Sequence, residues 1–186
     1  MNNQKRVCIY CGSKTGNNSV FTKQAKNLGK TLASNNIGVV YGGGSVGLMN
    51  EIANATLNRG GQVHGVIPQH LHELEVAHQQ LTALHITDTM HERKAMMAEL
   101  SDAFIALPGG FGTFEELMEA ITWVQLDIHK KAVIIFNIDG YYDKLISFFE
   151  HAVESGFITN DNLTSSLKIA NSVQECFNYL TFHSNN

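Results

Sequence analysis

The sequence predicts an α/β fold, a doubly wound parallel sheet flanked by helices, and three observations carry that prediction. Apolar runs of strand length recur at residues 6–10, 38–41, 62–67, 103–107 and 132–137, each too short for a helix. Between them lie stretches with apolar residues at helical spacing. The runs are near-continuous in Val, Ile and Ala rather than alternating, as expected of strands covered on both faces. The intervening helices then serve as parallel crossovers.

Taken in order, run 6–10 is followed by a helix carrying Phe21, Ala25, Leu28 and Leu32, and run 38–41 by one carrying Leu48, Ile52 and Ala55. After 62–67 comes a polar stretch, then a helix from about Met90. Run 103–107 precedes a helix with Leu117, Ile121, Val124 and Ile128, and run 132–137 one with Leu145, Phe149 and Ala152. A polar loop is expected over 159–166. A last helix with Val173, Phe177 and Leu180 is expected to dock the C-terminus.

At 186 residues, 44% hydrophobic and 16% charged, the chain suits one domain over 1–186. A net charge of -4 provides no global field for a nucleic acid polymer or an acidic membrane. The run at 7–10 is far shorter than a signal-peptide core or a membrane span. Three cysteines, Cys8, Cys11 and Cys176, form no disulfide framework and suit a reducing compartment. A cytoplasmic protein acting on a small molecule is expected.

Two glycine loops follow predicted strands. The first, Gly42-Gly43-Gly44-Ser45-Val46-Gly47, opens a helix whose free N–H groups suit an anion. It matches G-x-G-x-x-G, yet residues 52–72 hold no Asp or Glu to grip a ribose, and no Lys-Ser or Lys-Thr completes a Walker loop. A tight turn with close packing explains this loop equally well. The second, Pro108-Gly109-Gly110-Phe111-Gly112-Thr113, also joins a strand to a helix and so lies on the same carboxyl edge. Two such N–H arrays on one edge favour a phosphorylated ligand.

Charged residues adjoin both loops. Thr113-Phe114-Glu115-Glu116 reads as a capping box with Thr113 as N-cap, although the same placement puts the Glu116 carboxylate where it could order a water or stabilise positive charge on a sugar. Thr89-Met90-His91-Glu92 is a second capping box. The stripe after it, Met90, Arg93, Met97 and Leu100, is interrupted by Arg93, which either snorkels over the core or, with Lys94, clamps a phosphate or ribose. Cys8 and Cys11 form a C-x-x-C placed in a strand rather than at a helix N-terminus, so they read as buried residues. His70, His72 and His78 complete no metal spacing and read as solvated loop residues; no metal site is expected.

Tyr41-Gly-Gly-Gly-Ser-Val-Gly-Leu-Met49, Met90-His-Glu-Arg-Lys94 and Leu107-Pro-Gly-Gly-Phe-Gly-Thr-Phe-Glu-Glu116 together, and in this order, resemble the lonely-guy (LOG) family. The likeness continues in Cys11-Gly-Ser13, Glu75-Val-Ala-His78, Ile121-Thr-Trp123 and Asp139-Gly-Tyr-Tyr142, spanning roughly 6–158. The resemblance implies a Rossmann-like fold and hydrolysis of the N-glycosidic bond of nucleoside 5′-monophosphates to free base and ribose 5-phosphate. The substrates it implies are AMP and N6-modified AMP, the cytokinin ribotides, with no cofactor. It implies Arg93 and Glu116 as catalytic residues. Substrate would be carried by Glu75, Lys94, Gly109, Gly110, Phe111, Gly112, Thr113, Phe114, Glu115 and Thr122, with Ser13, Gly43 and Gly44 as a further phosphate or sugar loop. Thr122 lies six residues beyond Glu116, about 120° around a helix, so one chain does not bring both to one pocket. A homodimer sharing its site is therefore expected, an idea that a fully active monomer would sink.

Asn50 departs from the family, which usually has Gly there; its side chain is expected to crowd a neighbouring helix or loop. Members of this family are often labelled lysine decarboxylases. A pyridoxal phosphate decarboxylase needs a Schiff-base lysine and a carboxylate for the pyridinium nitrogen, and no such set is identified. A nucleotide-binding or carrier protein is the alternative; it would share the glycine loops but has no need of the Arg93 and Glu116 pair. A phosphotransfer enzyme would want metal-binding carboxylates that the sequence does not show.

Overall fold

A computed structural model describes residues 4–74, 77–180 and 182. Seven parallel strands form one sheet in the order β4-β3-β2-β1-β5-β6-β7. The strands are β1 (Arg6–Tyr10), β2 (Gly38–Tyr41), β3 (Val63–Pro68), β4 (Ala83–Thr87), β5 (Ala103–Ala106), β6 (Ala132–Phe136) and β7 (Lys168–Ala170). The helices are α1 (Ser19–Ser34), α2 (Gly47–Leu57), α3 (Gln69–Leu74), α4 (Met90–Glu99), α5 (Phe111–Gln125), α6 (Asp143–Glu154), α7 (Asn160–Ser166) and α8 (Val173–Tyr179). The expected doubly wound parallel architecture is therefore present.

Central strands are apolar on both sides because each side meets its own helical layer. Along β1, Val7 and Ile9 join a core with Ala25, Leu28 and Leu32 of α1, Ile52 of α2 and Cys176 of α8. Cys8 and Tyr10 face the opposite way, into a core with Met97 of α4, Leu117 and Ala120 of α5 and Phe149 of α6. Side chains on successive strand residues point to opposite faces, so a strand buried between two layers has no polar positions to spare.

Strand order reverses beside β1, which pairs with β2 on one side and β5 on the other. In open α/β sheets such a switch point leaves a crevice at the carboxyl ends of the strands. The loops after β1, β2 and β5 meet there.

Two strands and two helices go beyond the sequence reading. β4 and β7 are the edge strands, and α3 lies in the polar stretch before β4. The loop expected over 159–166 is instead α7, begun by Thr159, whose hydroxyl accepts from Asn162 N at 3.1 Å. The predicted helix through Ile128 stops at Gln125, leaving Ile128 exposed. Among the described residues, no helix is long and apolar enough to cross a membrane.

Candidate active site

The three carboxyl-edge loops touch through backbone. Gly12 N donates to Pro108 O at 3.0 Å, and Leu48 N, in the first turn of α2, donates to Gly12 O at 3.0 Å. A Cβ on Gly47 would stand 2.2 Å from the Ser13 carbonyl carbon, so glycine there lets α2 start against the loop after β1. Between these loops and α5 opens a cleft of about 240 Å³, lined by Cys11, Gly12, Ser13, Met49, Leu71, Arg93, Glu116 and the stretch 110–113.

α5 starts directly on the second glycine loop. Its N-cap is Gly110, which has no side chain to cap with, so the first-turn amides are left without a side-chain cap where residues 110–113 line the cleft. The capping box expected at Thr113 therefore does not form. Thr113 is already the third helical residue, buried with its hydroxyl where a Cβ on Gly109 would sit, 2.1 Å away. Glu116 stands in the second turn, released from any capping duty.

Glu116 faces Arg93 of α4. Arg93 Nη2 is 3.5 Å from Glu116 Oε1, with the two side chains only 12% and 9% exposed. Arg93 Nε donates to Val66 O at 3.2 Å, and Nη2 lies where a Cβ on Gly42 would be, 2.2 Å away. The glycine after β2 thus makes room for the guanidinium. Capping of α4 by Thr89 forms as expected, its hydroxyl accepting from Glu92 N at 3.1 Å; the Glu92 carboxylate reaches back one residue further, to Asp88 N at 3.0 Å.

Burial drives the Glu116 carboxyl up to about 7, with Glu115 and Glu119 adding to the rise and Arg93 and Lys94 pulling against it. An arginine at 3.5 Å, beyond good hydrogen-bonding distance, only partly offsets desolvation. The group is therefore poised to gain or lose a proton near neutrality, as a general acid or base requires.

Lys94 points elsewhere. Its buried ammonium pairs with Glu115 and, at 3.1 Å, with Glu119, tying α4 to α5 outside the cleft. Burial depresses the ammonium, but the hydrogen bonds and charges of those carboxylates outweigh it and hold Lys94 above the usual lysine range. Phe111 is 92% exposed at the cleft mouth, whereas Phe114 packs edge-on to Tyr142 at 6.2 Å. Thr122 is exposed and donates to Met118 O at 2.7 Å, and it is not among the residues lining the cleft. Glu75 lies outside the described residues.

Of the candidate loop formed by Ser13, Gly43 and Gly44, only Ser13 lines the cleft. Gly43 and Gly44 are buried beneath residues 77–78: Gly44 bridges Ala77, and His78 N donates to Gly43 O at 3.3 Å. The close-packed turn is the reading of this loop that the structure supports. His78 is correspondingly buried, not solvated. Its Nδ1 accepts from Gln80 N at 3.2 Å and its Nε2 meets Asn54 Oδ1 at 3.0 Å, while Asn54 Nδ2 donates to Asn50 Oδ1 at 3.0 Å. The Asn50 side chain, expected to crowd a neighbour, is engaged in this chain of amides. Cys8 and Cys11 are buried and free, their thiols pushed up by burial, as inert core residues should be.

Met49 and Leu71, which the sequence did not mark for the site, supply apolar walls to the cleft. A second cavity of about 340 Å³ adjoins it across Gly12, Ser13 and Gly110, with Phe21 and Tyr141 on its far side. The Asp139-Gly-Tyr-Tyr142 turn lies behind the second glycine loop: Tyr141 Oη donates to Gly109 O, and Tyr142 Oη to Leu107 O at 2.7 Å.

Fold and site together define a doubly wound α/β protein with an Arg–Glu pair buried beside an open helix N-terminus at its topological switch point. Solved structures share the fold. The molybdenum cofactor carrier protein of Chlamydomonas reinhardtii matches with a TM-score of 0.71 at 20% identity over 95% of each chain. The molybdenum cofactor binding protein of Rippkaea orientalis gives 0.71 at 20% identity over 96% of each. Sequence comparison reaches further. Residues 49–180 match the family described as possible lysine decarboxylase. Cytokinin riboside 5′-monophosphate phosphoribohydrolase LOG1 of Arabidopsis thaliana is 52% identical over 155 residues, 83% of this chain and 73% of the relative. The probable enzyme of the same description, LOGL1, from Oryza sativa subsp. japonica is 53% identical over 156 residues, 84% of this chain and 70% of the relative. The chain belongs to this family, the lonely-guy family.

Proposed function

We propose that this chain hydrolyses the N-glycosidic bond of nucleoside 5′-monophosphates, AMP and its N6-modified forms, releasing base and ribose 5-phosphate. The observation that carries the reading is the Arg93–Glu116 pair, 3.5 Å apart and nearly buried beside the open first turn of α5. Amides at a helix N-terminus suit the 5′-phosphate. A carboxylate close by suits the positive charge that grows at C1′ as the glycosidic bond weakens. In this reading a water oxygen bonds to C1′ while the C1′–N bond breaks with its electron pair leaving on the base. Glu116 takes the water's proton and passes it on to the departing base, so that one water is consumed and the carboxylate is restored. Arg93, a poor proton donor, orients the carboxylate and the sugar.

Relatives at about half identity are named for this activity, which supports the reading. A carrier gains nothing from a buried carboxyl raised to about 7, a feature that costs stability. A decarboxylase lysine must shed its proton to form a Schiff base, whereas Lys94 is held protonated by two glutamates. The test is incubation with AMP and N6-isopentenyl AMP in the presence of a chelator. Free base and ribose 5-phosphate are expected, and failure to release base from either substrate overturns the reading.

We further propose a cytoplasmic homodimer. Exposed Thr122, Leu126 and Ile128 at the outer end of α5 support a paired face, and the free cysteines support a reducing compartment. Sedimentation equilibrium should return twice the 20.5 kDa chain mass. An active monomer would remove Thr122 from the site.

A further inference from the structure

An anion site made of backbone amides works only if the carbonyl oxygens of the same loop are turned away, because each would repel the ligand. From Leu107 to Gly110, where the chain passes from β5 through the second glycine loop to the start of α5, each of the four carbonyls has a donor of its own. Leu107 O accepts from Tyr142 Oη at 2.7 Å, Pro108 O from Gly12 N at 3.0 Å, Gly109 O from Tyr141 Oη, and Gly110 O from Phe114 N at 3.0 Å. Three of these donors are buried side chain or backbone. The fourth, Tyr141, is 39% exposed and lines the second cavity.

The peptide that Tyr141 holds is also one with no side chain at either end to fix it. It joins two glycines, and rotating it needs only a change of ψ at Gly109 and φ at Gly110, both free of Cβ constraint; a Cβ on Gly110 would meet nothing within 4 Å. A trans peptide points its C=O and N–H in opposite directions. With Gly109 O drawn to Tyr141, Gly110 N–H points away from the tyrosine, and Gly110 itself lines the cleft that holds Arg93 and Glu116. A flipped peptide would put an oxygen there instead.

We propose that Tyr141 is a positioning residue that locks the Gly109–Gly110 peptide with its amide toward the substrate phosphate. The inference rests on the phosphoribohydrolase reading above. Its own support is built independently of the catalytic pair. Phe21 holds the Tyr141 ring edge-on at 5.8 Å, and Asn18 Nδ2 donates to Asp139 Oδ2 at 2.8 Å, fixing the turn from which the tyrosine projects. Removing the hydroxyl alone leaves the ring's packing in place.

The test is Tyr141→Phe in the full chain, read by titration with ribose 5-phosphate, with ribose as the control, and by steady-state kinetics. Loss of the lock should weaken ribose 5-phosphate binding and raise KM for AMP by about five- to tenfold, the worth of roughly one hydrogen bond. kcat should fall less than about threefold, ribose binding should not change, and the melting temperature should stay that of the parent protein. If the parent binds ribose 5-phosphate and the variant binds it equally well, the lock is refuted while the functional reading stands. Equal losses for ribose and ribose 5-phosphate, or a lowered melting temperature with unchanged KM, would make Tyr141 a structural residue and refute it too. A parent protein that neither binds ribose 5-phosphate nor cleaves AMP overturns both.

Discussion

Glu116→Gln should remove activity and, above neutral pH, make the protein more stable. The carboxyl is raised by burial from the ordinary 4.5 to about 7, a net result that already contains the opposing pull of Arg93. Below pH 4.5 the group is protonated whether the chain is folded or not, and its burial costs nothing. Between 4.5 and 7 the folded state binds more protons than the unfolded one, so stability falls as pH rises; above 7 the full cost is present. A rise from 4.5 to about 7 corresponds to about 3 kcal/mol. Glutamine keeps the shape without the charge, so at pH 8 the variant should gain up to about 3 kcal/mol. At roughly 2–4 °C per kcal/mol for a chain of this size, the melting temperature should rise by up to about 6–12 °C. At pH 4.5 the two proteins should unfold together. Urea denaturation at the two pH values, run beside the AMP assay, makes the comparison. A variant less stable than its parent at pH 8, or a difference that ignores pH, would show that the ion pair with Arg93 outweighs burial and refute the reasoning.

Further expectations follow from the same contacts. If Glu116 acts as the base, kcat/KM for AMP should rise with pH through about 7 and level off above it; a profile flat from pH 5.5 to 8.5 would exclude that role. Gly42→Ala would place a methyl 2.2 Å from Arg93 Nη2. Because the obstacle is the end of a flexible side chain, circular dichroism should show a folded protein with little change in melting temperature, while turnover of AMP falls by about a hundredfold or more. Lys94→Met should cost about 1–2 kcal/mol in urea unfolding, since it strips Glu115 and Glu119 of their cation while Glu115 remains half exposed to water.

Residues with a strong local signal were legible in the sequence. Strands β1, β2, β5 and β6 announce themselves because burial on both faces leaves only Val, Ile, Ala, Phe, Tyr and Cys at most positions. β4, with Ala83, Leu84 and His85 half-buried and Ile86 exposed, and β7, three residues long, sit at the sheet's edges, where that pressure is absent. α7 was hidden by its polar composition, its start marked only by Thr159. Arg93 and Glu116 stood out as charges beside glycine loops, but what surrounds them did not. The capping box at Thr113 was plausible locally and fails because α5 begins on Gly110. The pairing of Lys94 with Glu115 and Glu119 joins residues 21 and 25 apart, and no local pattern records it. The need for glycine at position 42 comes from a guanidinium 51 residues away.

These long-range pairings explain how two neighbouring cations on α4 serve different ends. Arg93 and Lys94 project from adjacent positions toward α5, which offers Glu115, Glu116 and Glu119. Lys94 takes the outer two carboxylates, and Arg93 is left facing Glu116 at a distance too long to quench it. Burial sets the rise of the Glu116 carboxyl and Arg93 is the larger opposing charge; both outer carboxylates add to the rise and Lys94 trims it, without reaching the cleft. Lys94→Met should therefore move the ascending limb of the pH profile to higher pH, whereas a lysine that only gripped substrate would raise KM and leave the limb where it was. The direction of that shift separates electrostatic tuning from binding at one position.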